Sequence, residues 1–191
     1  PTAEVTVTNI YRDCIVAKKD FPIKMTAYTQ CFRREAGSYG KDVRGLNRLH
    51  QFDKVEIVQL SLPDVSYKAL DGMVEHVEKL VQELELPYRI LRLCGGDMSF
   101  TSAITYDFEV FSAAQKRWLE VSFEANAATE LYNRLLLRFL AVACEGRLAH
   151  TLNGSSLALP RILAALIENN QTPDGKIKIP KALQEFTGFD I

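Results

Sequence analysis

CFRREAGSYGKDVRGLNRLHQFDKVE, residues 31–56, reads as two strand-like runs joined by a long loop, and the rest of the chain is arranged around it. The first run leads into Arg33-Arg34-Glu35. The second, Gln51-Phe52-Asp53-Lys54-Val55-Glu56, places Phe52 and Glu56 on one face because strand side chains alternate with period two. A pocket lined this way offers a cation, an aromatic face and two carboxylates. Residues 36–47 carry Gly37, Gly40 and Gly45 with Lys41 and Arg44, which predicts a mobile, electropositive loop able to close on a polyanion. Taken singly, these features are ordinary, since arginines on a strand usually face solvent and a phenylalanine is usually core.

Working outward, 191 residues suffice for one domain with a sizeable core, and an apolar content of 47% is ordinary for a globular chain. A net charge of -1 gives no global attraction to nucleic acid or membrane, so any polyanion contact must be local. The best local patch is Arg33, Arg34, Lys41, Arg44 and Arg48. Cys14, Cys31, Cys94 and Cys144 are far apart and form no C-x-x-C pair, which argues against a zinc knuckle or a secreted disulfide framework and for reduced thiols in a cytoplasmic protein. No stretch approaches the roughly 20 apolar residues of a membrane-spanning helix. The opening PTAEVTVTN has no signal-peptide pattern and no initiator methionine, so the chain is expected to be a piece of a longer protein.

Residues 2–9 alternate, with Val5 and Val7 opposite Glu4, Thr6 and Thr8, and predict a half-buried strand on which Thr2 and Glu4 face the same way. Residues 10–20 predict a short helix and a turn, ended by Pro22. Residues 23–34 and 51–60 predict an antiparallel hairpin. From Pro63 to Pro87, Tyr67, Leu70, Met73, Val74, Val77, Leu80, Val81 and Leu84 recur at three- and four-residue spacing, the mark of an amphipathic helix covering one sheet face. His76 on its charged side reads as a surface histidine. Residues 88–94 predict a strand ending at the Gly95-Gly96-Asp97 turn, and 103–111 with 117–123 a second hairpin. Residues 135–143 read as a strand turning at Glu145-Gly146 into 148–153. A strand is then expected to end at Asn153-Gly154, with an apolar helix capped by Ser155 or Ser156 and Pro160 in its early part. Arg161 is the one cation in TLNGSSLALPRILAALI, residues 151–167, and calls for an anion.

The order F-R-R-E-A-G, glycine-bearing basic loop, H-Q-F-x-K-V-E resembles motif 2 of the class II aminoacyl-tRNA synthetases, in the form found in seryl-tRNA synthetases. N-G-S-x-L-A-x-x-R resembles motif 3, T-A-E near the start resembles the segment that holds the amino group of serine, and C-G-G-D-M-S-F with T-Y-D-F-E-V-F is similar to the same family. The resemblance implies an α+β fold, the class II synthetase-type antiparallel sheet flanked by helices. It implies one partial catalytic domain over 1–191, with motif 2 at about 31–56 and motif 3 at about 151–169, lacking the N-terminal helical arm and motif 1.

The implied activity is a serine-tRNA ligase using ATP and Mg2+ on L-serine and tRNA(Ser), in a family whose full-length members are homodimers without membrane attachment. Carried over position by position, ATP falls to Arg33, Arg34, Glu35, Leu49, Phe52, Glu120, Val121, Ser122 and Arg161. Serine falls to Thr2, Ala3, Glu4, Arg33, Glu56, Asn153 and Ser155, and magnesium to Glu120 and Ser122. Arg33 and Arg161 are the implied catalytic residues, holding the α- and γ-phosphates. Phe123 stands where the family has a second serine, and residues 124–134 depart from its pattern except at Asn126 and the Asn133-Arg134 pair, which leaves open a catalytically impaired synthetase-like fragment acting as a binding or structural module.

Overall fold

A computed structural model describes residues 2–35, 45–99, 102–127, 138–140 and 146–191. Among these, six strands form one antiparallel sheet: β2 (Ile23–Phe32), β3 (Gln51–Ser61), β4 (Tyr88–Arg92), β5 (Ile104–Ser112), β6 (Arg117–Ala127) and β9 (His150–Ala158). Their spatial order is β2-β3-β9-β6-β5-β4. Both hairpins expected from the alternation are present. In the first, β2 and β3 pair without a slip from Ile23 against Leu60 to Phe32 against Gln51. A second, small sheet joins β1 (Ile15–Ala17) in parallel to β7 (Arg138–Leu140), which pairs antiparallel with β8 (Gly146–Leu148). The fold is α+β, as the sequence implied.

The amphipathic period of residues 63–84 becomes a short 3-10 turn, Pro63–Val65, and helix α2, Ser66–Glu83. Its Val77 and Val81 pack with Phe108, Val110 and Val121 of the sheet and with Ile162 and Ala165 of helix α3, Leu159–Asn169. Leu70 and Met73 continue that contact onto Leu152. Each such side chain, fully buried, contributes about 1.5–3 kcal/mol from apolar transfer. Ser66 Oγ, which donates to the Pro63 carbonyl at 3.1 Å, also lies 2.7 Å from His150 Nδ1 and so ties the start of α2 to the start of β9. A short helix α4, Lys181–Thr187, completes the described elements.

Three expectations are corrected. Residues 2–9 are not a strand: helix α1 spans Ala3–Thr8 and a 3-10 turn follows at Asn9–Tyr11. The segment lies across β2, β3 and β9 rather than along a sheet edge, and buries Ala3 and Thr8 while leaving Val5 49% exposed. The Thr6 and Thr8 hydroxyls donate back to the Ala3 and Glu4 carbonyls at 3.0 and 2.6 Å, so the β-forming residues are satisfied inside a helix. Thr2 and Glu4 therefore do not share a strand face. Next, β9 runs on to Ala158, paired with Lys54, so Ser155 and Ser156 are strand residues and the helix starts at Leu159 with Pro160 in its first turn. Lastly, residues 10–20 hold strand β1 as well as short turns. The glycine loop 36–44, Cys144 and the Asn133-Arg134 pair lie outside the described residues, as does the Phe123 side chain.

Glu124 is an unforeseen core residue. It pairs across the sheet with Gly154, which in turn opposes Ile57, and direct cross-strand partners share a face, so its carboxyl points toward the side covered by α2. It is fully buried; its Oε2 has no hydrogen-bond partner among the described residues. A Cβ on Gly154 would stand 1.8 Å from that oxygen, so a larger residue here would force the Glu124 carboxyl to shift. Burial, then the Glu56 charge, push the Glu124 carboxyl well above its ordinary range.

A carboxyl whose folded pKa is raised stabilises the fold where it is protonated. That contribution is whole below the unfolded value of about 4.5 and is lost as pH rises through the folded one. Glu124→Gln is therefore expected to gain stability relative to the parent chain as pH goes from about 4 to about 8, measured by urea denaturation; a difference independent of pH would contradict the protonated core carboxyl. In the same melts Gly154→Ala should cost about 1–3 kcal/mol, as overpacking does.

Candidate active site

At one end of the large sheet, the exit of β2, the turn Gly45–Asn47, the start of β3, Glu120 and Val121 of β6 and the β9–α3 junction enclose a cavity of about 280 Å³. The Arg33 amide donates to the His50 carbonyl at 2.8 Å, extending the hairpin ladder one step past β2 and fixing where Arg33 leaves it. Its guanidinium carbon then sits 5.1 Å from the centre of the Phe52 ring, a cation–π contact that also holds the ring on the cavity wall. Glu35 has a φ of 51°, uncommon outside glycine, and its carboxylate meets Arg48 Nε at 2.5 Å.

Across the cavity, Arg161 binds two distant backbone segments. Its Nε donates to the Asn47 carbonyl at 3.1 Å and its Nη1 to the Glu120 carbonyl at 2.5 Å. Burial lowers the Arg161 pKa, opposed by Glu120 and reinforced by the neighbouring Arg33 and Arg48. Three guanidinium groups thus face one small space, an arrangement suited to a polyanion of several phosphates. On the β5–β6 side, Asp107 is raised to about 6 by burial and by Glu120, Glu109 and Asp97 around it.

The floor is acidic and buried. Lys54 and Ser155 line the cavity; Lys54 Nζ lies 2.7 Å from Glu56 Oε2, with side chains 5% and 0% exposed. Glu56 opposes Ser155 in the β3–β9 register, and β9 carries an extra residue between Ser155 and Ala158, opposite the Lys54–Glu56 step. Burial raises the Glu56 carboxyl, while Lys54, Asn153 and Arg33 counteract that rise. Helix α1 delivers Glu4 to the same place: burial and then Glu56 raise its carboxyl, and Lys54 again lowers it. A small polar molecule carrying an ammonium or a hydroxyl fits such a floor.

The structure thus gathers Arg33, Glu35, Leu49, Phe52, Glu120, Val121, Ser155 and Arg161 on one cavity wall, with Glu56, Asn153 and Glu4 clustered beneath. It does not bring Arg34 there, since that side chain is exposed and off the wall, nor Thr2 and Ala3, which belong to the start of α1. Ser122 is also turned away from the cavity: its hydroxyl is buried and donates to the Ser155 carbonyl. Asn47, Arg48 and Lys54 line the cavity without having been singled out for it. Lys54 was legible in principle, because period two places it between Phe52 and Glu56 on one strand face. A larger hollow of about 640 Å³ between β2, β3 and α2, lined by Lys24, Lys68 and His76 among apolar groups, has no carboxylate.

Residues 1–170 match the tRNA synthetase class II core domain (G, H, P, S and T). The chain belongs to the class II tRNA synthetase core family. Within that family it is 57% identical over 190 residues to a serine--tRNA ligase of Salinibacter ruber, and 52% identical over 188 residues to one of Neisseria meningitidis serogroup B. These alignments cover 99% and 98% of this chain but 44% of each relative, so the chain spans less than half of their length. The seryl-tRNA synthetase of Pyrococcus horikoshii, solved in complex with ATP, superposes with a TM-score of 0.95 at 38% identity, covering 100% of this chain and 43% of that one. The cytoplasmic serine-tRNA ligase of Naegleria fowleri in complex with AMP superposes at 0.91 with 29% identity, covering 98% and 44%. Among the described residues no helix of the class II core is long and apolar enough to cross a membrane.

Because Arg161 ties the 45–47 turn to β6, Arg161→Lys, which keeps the charge and loses the fork, should speed amide hydrogen exchange at residues 45–49 about tenfold while α2 amides stay protected. Unchanged exchange there would remove Arg161 as the clamp.

Proposed function

We propose that this chain carries the amino acid activation site of a serine-tRNA ligase, joining L-serine to ATP as seryl-adenylate with release of pyrophosphate, before transfer of the seryl group to tRNA(Ser) by the whole protein. The observation that carries this reading is one cavity in which Arg33, Phe52 and Arg161 stand over a floor of Lys54, Ser155 and the buried Glu56. Residues 1–191 are read as a single partial catalytic domain. The names of the serine--tRNA ligase relatives support serine and tRNA as substrates, and a homodimeric full-length enzyme and a cytoplasmic location belong to the same proposal.

In this reading the serine carboxylate attacks the α-phosphorus and the pyrophosphate oxygen leaves. Arg33 neutralises charge growing on the α-phosphate, and Arg161 and Arg48 hold the leaving phosphates, so the chain works by positioning and charge stabilisation. The adenine rests on Phe52 with Glu35 at its edge. Glu56, Asn153 and Ser155 read the substrate hydroxyl and Glu4 its ammonium; buried groups left unpaired by alanine reject it strongly. The carboxylate of Glu120, with Asp107 beside it, fits a magnesium ion that takes one or two protein oxygens and completes its shell on phosphates, where it would neutralise phosphate charge.

The test is exchange of labelled pyrophosphate into ATP, which requires adenylate formation and no tRNA. Serine-dependent exchange is expected, with alanine and threonine inert; a folded chain showing no exchange with any amino acid would instead support an inactive module. Glu56→Ala should reduce serine-dependent exchange at least about 100-fold with ATP binding retained. Phe52→Ala should raise the KM for ATP about tenfold, the worth of one stacking contact.

A further inference from the structure

We infer that Lys54 is a positioning residue of the amino acid pocket: its ammonium, ion-paired with Glu56 beneath the cavity floor, holds that carboxylate ionised and aimed at the substrate hydroxyl. The inference rests on the serine-activation reading and deepens it. Lys54 lines the cavity, yet its side chain is only 5% exposed and its Nζ is 2.7 Å from Glu56 Oε2. A lysine is rarely buried unless paired. Here it is, among the described residues, the one buried lysine, and it stands in a zone crowded with acids.

Glu56 comes from the same strand, Glu4 arrives on α1, and Glu124 senses the pair from β6, on the far side of β9. Arg33, at the exit of β2, is the other cation that bears on Glu56, and Asn153 of β9 also counteracts the rise of its carboxyl. Burial alone would protonate these carboxyls, and a protonated Glu56 no longer accepts from a serine hydroxyl as a charged group does. Lys54 opposes that for all three acids at once. Lys54 and Glu56, two residues apart on β3, face the same side of the strand, which lets their side chains meet head to head.

The experiment compares the parent chain, Lys54→Met, which keeps the stem and loses the charge, and Lys54→Arg. Glutamate carboxyl carbons are labelled and titrated by NMR, with Glu4 and Glu56 assigned from their Gln variants, and serine and ATP affinities are measured at equilibrium. In Lys54→Met the Glu56 and Glu4 midpoints should rise and the serine Kd at neutral pH should increase about tenfold or more, tenfold being one unit of pKa. Serine affinity should recover as pH is raised, the ATP Kd should stay within about twofold, and Lys54→Arg should restore most of the loss. Unmoved midpoints, or ATP affinity lost in step with serine, would overturn the inference. Should the parent chain itself not bind serine, the activation reading fails while the midpoints still decide the Lys54–Glu56 linkage. If Lys54→Met does not fold, the parent decides: Glu56 ionised at pH 7 is expected, and Glu56 protonated there overturns it.

Discussion

Strand β3 has to satisfy two partners along its length while presenting a working face, and that constraint shapes most of the molecule. Its backbone bonds to β2 on one side and β9 on the other. The slip-free β2 ladder fixes which side chains of β3 point to the cavity, because a shift of one residue would exchange Phe52, Lys54 and Glu56 for Gln51, Asp53 and Val55. The one irregularity, at Lys54–Glu56 against β9, lies where the polar floor is built. Regular pairing thus sets the register of the cavity, and the one departure from it against β9 lies beside the buried charges.

Much of this was legible in the sequence where one physical signal dominated. Alternation gave the β2–β3 hairpin, three- and four-residue recurrence gave α2, and the isolated Arg161 in an apolar run pointed to a site. Where signals competed, the sequence misled. Residues 2–9 alternate like a strand, but they pack across the sheet, and burial of Ala3 and Thr8 overrides the β preference of Val5 and Thr6. Ser155 and Ser156 look like caps, yet pairing with β3 keeps the chain extended until Ala158.

Side-chain direction was the least readable quantity. Ser122 follows Glu120 by two residues, and plain alternation would set both toward the cavity. The register slip between Phe108 and Glu109 intervenes: Glu120 opposes Glu109, whereas Ser122 opposes the core residue Phe108 and turns inward. Arg34 and Arg33 are likewise equivalent in composition; only the contact of Arg33 with Phe52 separates them. A bulge has no compositional signature strong enough to be seen from sequence alone, so its effects on neighbouring side chains were hidden too.

The position of β9 has a consequence for how the chain assembles. It is the last of the described strands, yet it lies in the middle of the sheet, between β3 and β6. As the polypeptide emerges from the ribosome, the β2–β3 and β4–β5–β6 units can each form from local contacts, but each keeps an open edge facing the other. Those edges find their shared partner only after residue 158 has been made, and the guanidinium of Arg161, three residues later, then fastens the turn at Asn47 to β6. The cavity is thus a late product of synthesis, and during the interval before it closes the two half-sheets depend on whatever keeps exposed strands apart.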